Sequence, residues 1–337
     1  MMKRLLYLWT PILFFLLMFL FPAPVFQGAR NGLLLWFNTV LPTLLPFMIV
    51  SDLLVSTRAI HGISRAAGIF LRPMLGVSDY GAYTVLAGFL CGYPMGSKVT
   101  SDLLRSGRIH RSEGGYLLSF CNNTSPMFVV SFVVLQNLKT PQLAVPALAI
   151  LWISALICGI LFRRRYFPEE NHFPGKKRPL DLLSQGRLSI GQFSHGRKSS
   201  PGEASSRPGI LDACIMNGFE AITKIGGYIM LFSICMELLQ LVPFRNTPLF
   251  QAVLASLEIT NGIALICGGA FPISTKFILC MALSSFGGWC SVAQTQCMIR
   301  ESRLPLLPYI AQKLVTMIVT SLIAFIYLLL FPLGNGP

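Results

Sequence analysis

The chain has 337 residues, of which 53% are hydrophobic and only 12% charged. Soluble domains carry about 25% charged residues, so this balance, a mean hydropathy of +0.64 and apolar blocks too long for core helices exclude an ordinary soluble fold. In a soluble protein the net charge of +14 would raise nucleic acid as a partner; in this chain it fits the Lys and Arg that collect in cytoplasmic loops of membrane proteins, and the expected partner is the lipid bilayer, with no nucleic acid.

Residues 1–30 begin with Lys3-Arg4 and an apolar block, Leu5–Phe21, with no small-x-small cleavage site after it. They are expected to form a retained N-terminal transmembrane anchor that crosses outward. A segment at about 33–55 returns inward, ahead of Arg58, Arg65 and Arg72. The next, at about 81–97, is short, carries Gly88, Gly92, Pro94 and Gly96, and is followed by Lys98, Arg105, Arg108 and Arg111. With basic residues on both flanks, it is predicted to enter the membrane and turn back. The segment at about 115–136 is interrupted by Cys121-Asn122-Asn123-Thr124-Ser125-Pro126, and the one at 143–162 ends on Arg163-Arg164-Arg165.

Residues 163–209 hold ten basic and four acidic residues among Ser, Gly and Pro, the composition of a basic, flexible cytoplasmic linker. The second half, 210–337, then follows the plan of the first, 31–162. A long segment (about 212–241) crosses outward to Arg245, and a short broken one (about 250–268) precedes Lys276. An interrupted one (about 277–298) leads inward to Arg300 and Arg303, and the last (about 306–331) exits. If both short segments are re-entrant, the outer loops hold only Arg30, Lys139, Arg245 and Lys276. The count is then about seven crossings plus the re-entrant hairpins.

A sequence echo joins the halves. Gly96 precedes Ser119-Phe120 by 23 residues, and Gly262 precedes Ser285-Phe286 by 23. The matching segments run in opposite directions, so the fold class expected is an all-α polytopic membrane protein of two inverted repeats with re-entrant hairpins and broken helices. That architecture recurs in secondary transporters, with the cargo site at the breaks. A helix broken in hydrocarbon leaves backbone groups without partners, and the N-terminus of a half-helix offers N–H donors and partial positive charge to an anion.

The candidate substrate-binding residues follow from the breaks. Asn122, Asn123, Thr124 and Ser125 are consecutive polar residues within a spanning segment, suited either to cargo or to capping a kink. Ser285, Ser291, Gln294 and Thr295 are their second-half counterparts. Thr260 and Asn261 sit in the second short segment beside Glu258, a membrane carboxylate that is a coupling-ion candidate or the partner of a basic residue. Tyr93, Ser97 and Lys98 surround the first hairpin tip, and Gly88, Gly92 and Gly96 allow close packing there. Glu220 and Lys224 are spaced to pair on one helix. The nine cysteines and four histidines show no ligand spacing, so neither metal nor cofactor is expected. No catalytic constellation stands out, and the chain does not read as an enzyme.

Gly-Phe-Leu-Cys-Gly-Tyr-Pro-Met-Gly-Ser-Lys (88–98) and Ser-Phe-Cys-Asn-Asn-Thr-Ser-Pro (119–126) resemble bacterial sporulation integral membrane proteins with nucleoside-recognition, or Gate, domains, above all the stage V branch. The resemblance implies Gate-like repeats similar to parts of concentrative nucleoside transporters. It also implies a role in spore cortex formation, and passage of dipicolinic acid, a small anion, across the mother-cell-derived outer forespore membrane. The alternatives are a nucleoside or other small-metabolite carrier, and a non-transporting scaffold that recruits other sporulation membrane proteins through the basic linker.

Overall fold

The computed structural model describes residues 2–57, 59–167, 209–243 and 247–332. Arg58, Arg245 and nearly all of the 163–209 linker lie outside the described residues. The protein is helical throughout, with no strand among the described residues.

Helix α1 (Met2–Leu20) meets α2 (Pro22–Leu35) at 107°. Pro22 opens α2, where its missing N–H costs nothing. Through one wide turn, Trp36–Val40, α2 continues into α3 (Leu41–Ser56). At 1.5 Å per residue the run 22–56 is about 50 Å long, well beyond a hydrocarbon core of roughly 30 Å. Arg30, expected in a loop, is therefore an exposed residue within α2.

Residues read from sequence as a basic loop instead form α4 (Ala59–Leu75), bent by 93° from α5 (Asp79–Cys91). Ile60, Ser64, Gly68 and Leu75 are buried, while Ile69 and Phe70 face outward beside exposed Arg65 and Arg72. That mixture suits a helix lying at the lipid–water boundary. Ser78 caps α5 by accepting from the Gly81 N–H at 3.1 Å, and Arg72 pairs with Asp79 across the bend.

The two short segments fold as helical hairpins. In the first, α5 and α6 (Met95–Arg105) pack together around Gly92-Tyr93-Pro94, whose Tyr93–Pro94 bond is cis. Gly88 and Gly96 both abut the carbonyl oxygen of Cys121, although eight residues of straight helix would hold them about 12 Å apart. In the second, α10 (Pro248–Leu257) and α11 (Ile259–Gly268) fold back at Glu258. There Gly262 abuts the carbonyl of Ala255, seven residues earlier.

Each hairpin is followed by an interrupted helix. The first is α7 (Arg111–Phe120), an unwound stretch at 121–125, and a wide-turn helical segment, Phe128–Leu138. The second is α12 (Ile273–Phe286) and α13 (Gly288–Ile299), hinged on Gly287 at φ +87°. Straight apolar helices complete the molecule: α8 (Ala144–Tyr166), α9 (Ile210–Leu239) and α14 (Leu306–Leu330).

Among the described residues, four stretches are long and apolar enough to cross a bilayer alone (141–166, 210–239, 273–299 and 306–330), or six if each bent pair counts as one. Phe19, Phe26, Val145, Leu249 and Leu307 are each more than two-thirds exposed, an outer surface that lipid accepts and water does not. Integral membrane character therefore follows from the fold itself.

The halves join along α2–α3 against α9, and along α8 against α14. Gly28 and Gly32 lie against the backbone of Ile234 and Met230, a close approach that only small residues permit. Trp36 fills the space over Gly226 and donates its indole N–H to the Ile222 carbonyl at 2.9 Å. The i,i+4 pair forms as its spacing predicts, with Lys224 Nζ 2.6 Å from Glu220 Oε1.

Candidate functional site

Why the first broken helix survives in a membrane is visible residue by residue. Its loose carbonyls and amides are met by side chains. Asn123 donates to the Phe120 carbonyl at 2.8 Å, and Lys313 of α14 donates to the Asn122 carbonyl at 3.0 Å and Asn123 Oδ1 at 3.4 Å. The Asn122 amide donates to Thr295 at 2.8 Å and Tyr309 at 2.9 Å, while its oxygen accepts from the Ser97 N–H at 3.4 Å. Ser125 begins the second half of the helix, its hydroxyl accepting from the Phe128 N–H at 3.2 Å. Gly88, Gly92 and Gly96 pack on this unwound backbone; a Cβ on Gly88 would collide with the Cys121 carbonyl.

At the second hairpin tip, Glu258 caps α11. Its carboxylate accepts from the Thr260 N–H, the Asn261 N–H and the Asn261 side-chain amide at 2.9–3.1 Å. It is buried, and the positive end of α11 opposes its charge.

Between these tips and breaks lies a cavity of about 320 Å³, within the size range of small-molecule sites. Tyr93, Thr124 and Ser125 line it from the first half, and Glu258, Thr260, Ser291 and Gln294 from the second. The sequence reading had singled out all seven. The Tyr93 hydroxyl donates to the Ser285 carbonyl at 2.8 Å, which ties the first hairpin tip to the second broken helix.

Other singled-out residues lie elsewhere. Lys98 is held by Asp52 at 2.5 Å and Asp102 at 3.1 Å and faces away from the cavity. Ser97 turns its hydroxyl to the Pro94 carbonyl at 2.6 Å, and Ser285 turns its own to the Ala282 carbonyl at 2.8 Å. Asn122 and Asn123 are internal struts. Asn261 lines a second, smaller cavity of about 140 Å³ with Asn31, Ser233, Glu237 and Gln240.

Sequence reasoning passed over several wall residues. Asn38 and Thr39 reach the cavity from the wide turn after α2, and Ser131, Phe132 and Gln136 from the segment after the first break. Polar residues at 131 and 136 in an otherwise apolar run were the available signal. Lys313, charged within an apolar segment, was visible but had no assigned partner.

Fold and cavity together define a class: a polytopic helical membrane protein whose interrupted helices and hairpin tips enclose a polar cavity. Within that class, the chain is similar to the sporulation integral membrane protein YlbJ of Bacillus subtilis (strain 168). The two are 26% identical over 343 aligned positions, covering 93% of this chain and 79% of that protein. This likeness bears out the resemblance to sporulation integral membrane proteins. No family model matches the chain, and no solved structure does, so the Gate-domain part of the resemblance rests on the 88–98 and 119–126 motifs.

Proposed function

We propose that this membrane protein acts in sporulation as a carrier of a small anionic metabolite, working by alternating access between two inverted repeats. One observation carries the reading: both hairpin tips and both helix breaks meet on a single cavity of about 320 Å³. A merely structural set of kinks has no need to converge.

The packing supports an inverted repeat. The second arm of the first hairpin, α6, packs on α13, the second part of the second broken helix; α11 packs on Phe128–Leu138, the second part of the first. Exchanging the halves exchanges these contacts, as a pseudo-two-fold axis requires. Gly96 and Gly262, the residues of the 23-residue echo, both sit in second hairpin arms against main-chain carbonyls.

Dipicolinic acid, moved across the outer forespore membrane, is the cargo and place that the resemblance implies, and the name of the relative agrees with a role in sporulation. The start of α13, with Gly287, Cys290 and Ser291 at the cavity wall, offers helix N-terminal amides of the kind that hold anions. A second reading, a nucleoside or other uncharged metabolite, is favoured by a different observation. Among the described residues no Lys, Arg or His lines the cavity, and Glu258 is its one carboxylate.

Uptake of radiolabelled dipicolinate into proteoliposomes separates these. The expected result is saturable uptake that excess nucleoside does not inhibit, with Gln294→Ala lowering it about tenfold or more through the loss of one hydrogen bond to a charged group, and Glu258→Gln lowering it through the loss of the carboxylate that would hold a coupling cation. Uptake of radiolabelled nucleoside with none of dipicolinate selects the second reading. Absence of uptake of either compound by folded protein rejects both and leaves the scaffold.

A further inference from the structure

Lys313 has no part in the cavity wall, yet it is completely buried in the first third of α14. Among the described residues no carboxylate pairs with it. Its contacts are the main-chain carbonyl of Asn122 at 3.0 Å, the side-chain oxygen of Asn123 at 3.4 Å, and the Tyr93 ring, whose centroid lies 5.1 Å away. Two neutral oxygens and an aromatic face form a ligand set for a cation rather than for an ion pair.

The oxygens belong to a particular place, the unwound stretch that follows the C-terminus of α7. A helix C-terminus carries partial negative charge. Unwound carbonyls at the C-terminal ends of half-helices are where broken-helix carriers coordinate monovalent cations. The second half has the opposite arrangement, with the Glu258 carboxylate on the N-terminus of α11. The first break and the second hairpin tip are thus each neutralised by a side chain of the protein itself, one of each sign.

We propose that the Lys313 ammonium fills the monovalent-cation site formed by the first helix break, so that the break needs no Na⁺ or K⁺ to hold its shape. The ammonium is tethered from α14, which also fixes the broken helix against the second half of the molecule. Tyr93 lies between this group and the cavity, so any cation-dependent step acts elsewhere. The proposal stands whether or not the protein is a carrier, and its test reads stability rather than transport.

The purified full-length protein in detergent is heated in Na⁺, K⁺ or choline chloride at equal ionic strength. The wild-type Tm is expected to be the same in all three. Lys313→Ala, which leaves an ammonium-sized hole beside the same oxygens, should lower Tm by more than about 5 °C, and methylammonium or Na⁺ should restore part of it. Lys313→Met fills the hole without charge and should be lowered but not restored.

A saturable rise of the wild-type Tm with Na⁺ over choline would overturn the proposal, as would a Lys313→Ala protein unchanged by every cation. Should that variant fail to fold, Lys313→Arg and Lys313→Gln decide. Retention of Tm to within a few degrees by Arg and not by Gln is expected. A Gln variant as stable as the wild type would show that charge at this position is dispensable and sink the idea.

Discussion

The two helix breaks face one cavity but are built from different materials. At 121–125 the first helix unwinds completely, and beyond the local bonds of Asn123 and Ser125 its support comes from other elements: three hairpin glycines, the α14 lysine, and Thr295 and Tyr309 beyond the second break. The second turns on Gly287 and Gly288, both at positive φ, and bends so little that 273–299 still has the length of one span. A wide break is a tertiary construction, whereas a narrow one needs little beyond glycine backbone freedom. Damage to support should therefore cost more at the first.

The largest expected effect tests that contrast directly. Gly88→Val drives a side chain into the Cys121 carbonyl, a backbone atom without freedom to retreat, and should abolish monodisperse protein in fluorescence-detected gel filtration. Gly287→Ala meets side-chain atoms, Ser291 Oγ and the Tyr93 ring, so its cost is that of a left-handed alanine, about 1–3 kcal/mol. It should still fold with a lowered Tm. Equal losses from the two substitutions would erase the distinction.

Next in size is Lys98→Met on the outer side of the first hairpin. Removing the ammonium leaves Asp52 and Asp102 facing each other in a mostly buried position, which should cost about 3–5 kcal/mol. Adding Asp52→Asn should return part of the Tm. If Lys98 instead meets cargo, the single variant will lose binding with an unchanged Tm.

The smallest effects compare equivalent regions of the two broken helices. Asn122→Leu removes both bonds to the second half and strands Tyr309 and Thr295, for about 2–3 kcal/mol. Ser285→Ala deletes a hydroxyl bonded only to its own helix and should stay within about 0.5 kcal/mol. Thermal melts of the two side by side would sharpen the contrast, or remove it if Ser285→Ala proves the more harmful.

Much of the architecture was legible because bilayer physics writes it in composition. Long, predominantly apolar runs gave α8, α9, α12–α13 and α14. Basic flanks on both sides of 81–97, with its Gly and Pro, gave a hairpin that the structure places at 79–105. Helix α4 was missed although Ile60, Ser64 and Gly68 recur every four residues, because its basic residues read as a loop. The extra length of α2 was missed because residues 1–30 read as the anchor and Arg30 as part of an outer loop, whereas Pro22 starts a helix that runs through both.

At the site, the sequence alone located the polar residues that a membrane helix does not carry without reason, among them Asn122–Ser125, Glu258 and Gln294. It could not assign their work. Whether an amide faces a cavity or braces a neighbouring helix depends on what stands opposite, and those partners lie 173 residues away for Asn122 and Thr295 and 191 for Asn122 and Lys313. Period and spacing report only the near neighbours of a residue, so the sequence determined the breaks and their polarity. The tertiary structure alone decided which polar groups were consumed in closing the breaks and which were left to line the cavity.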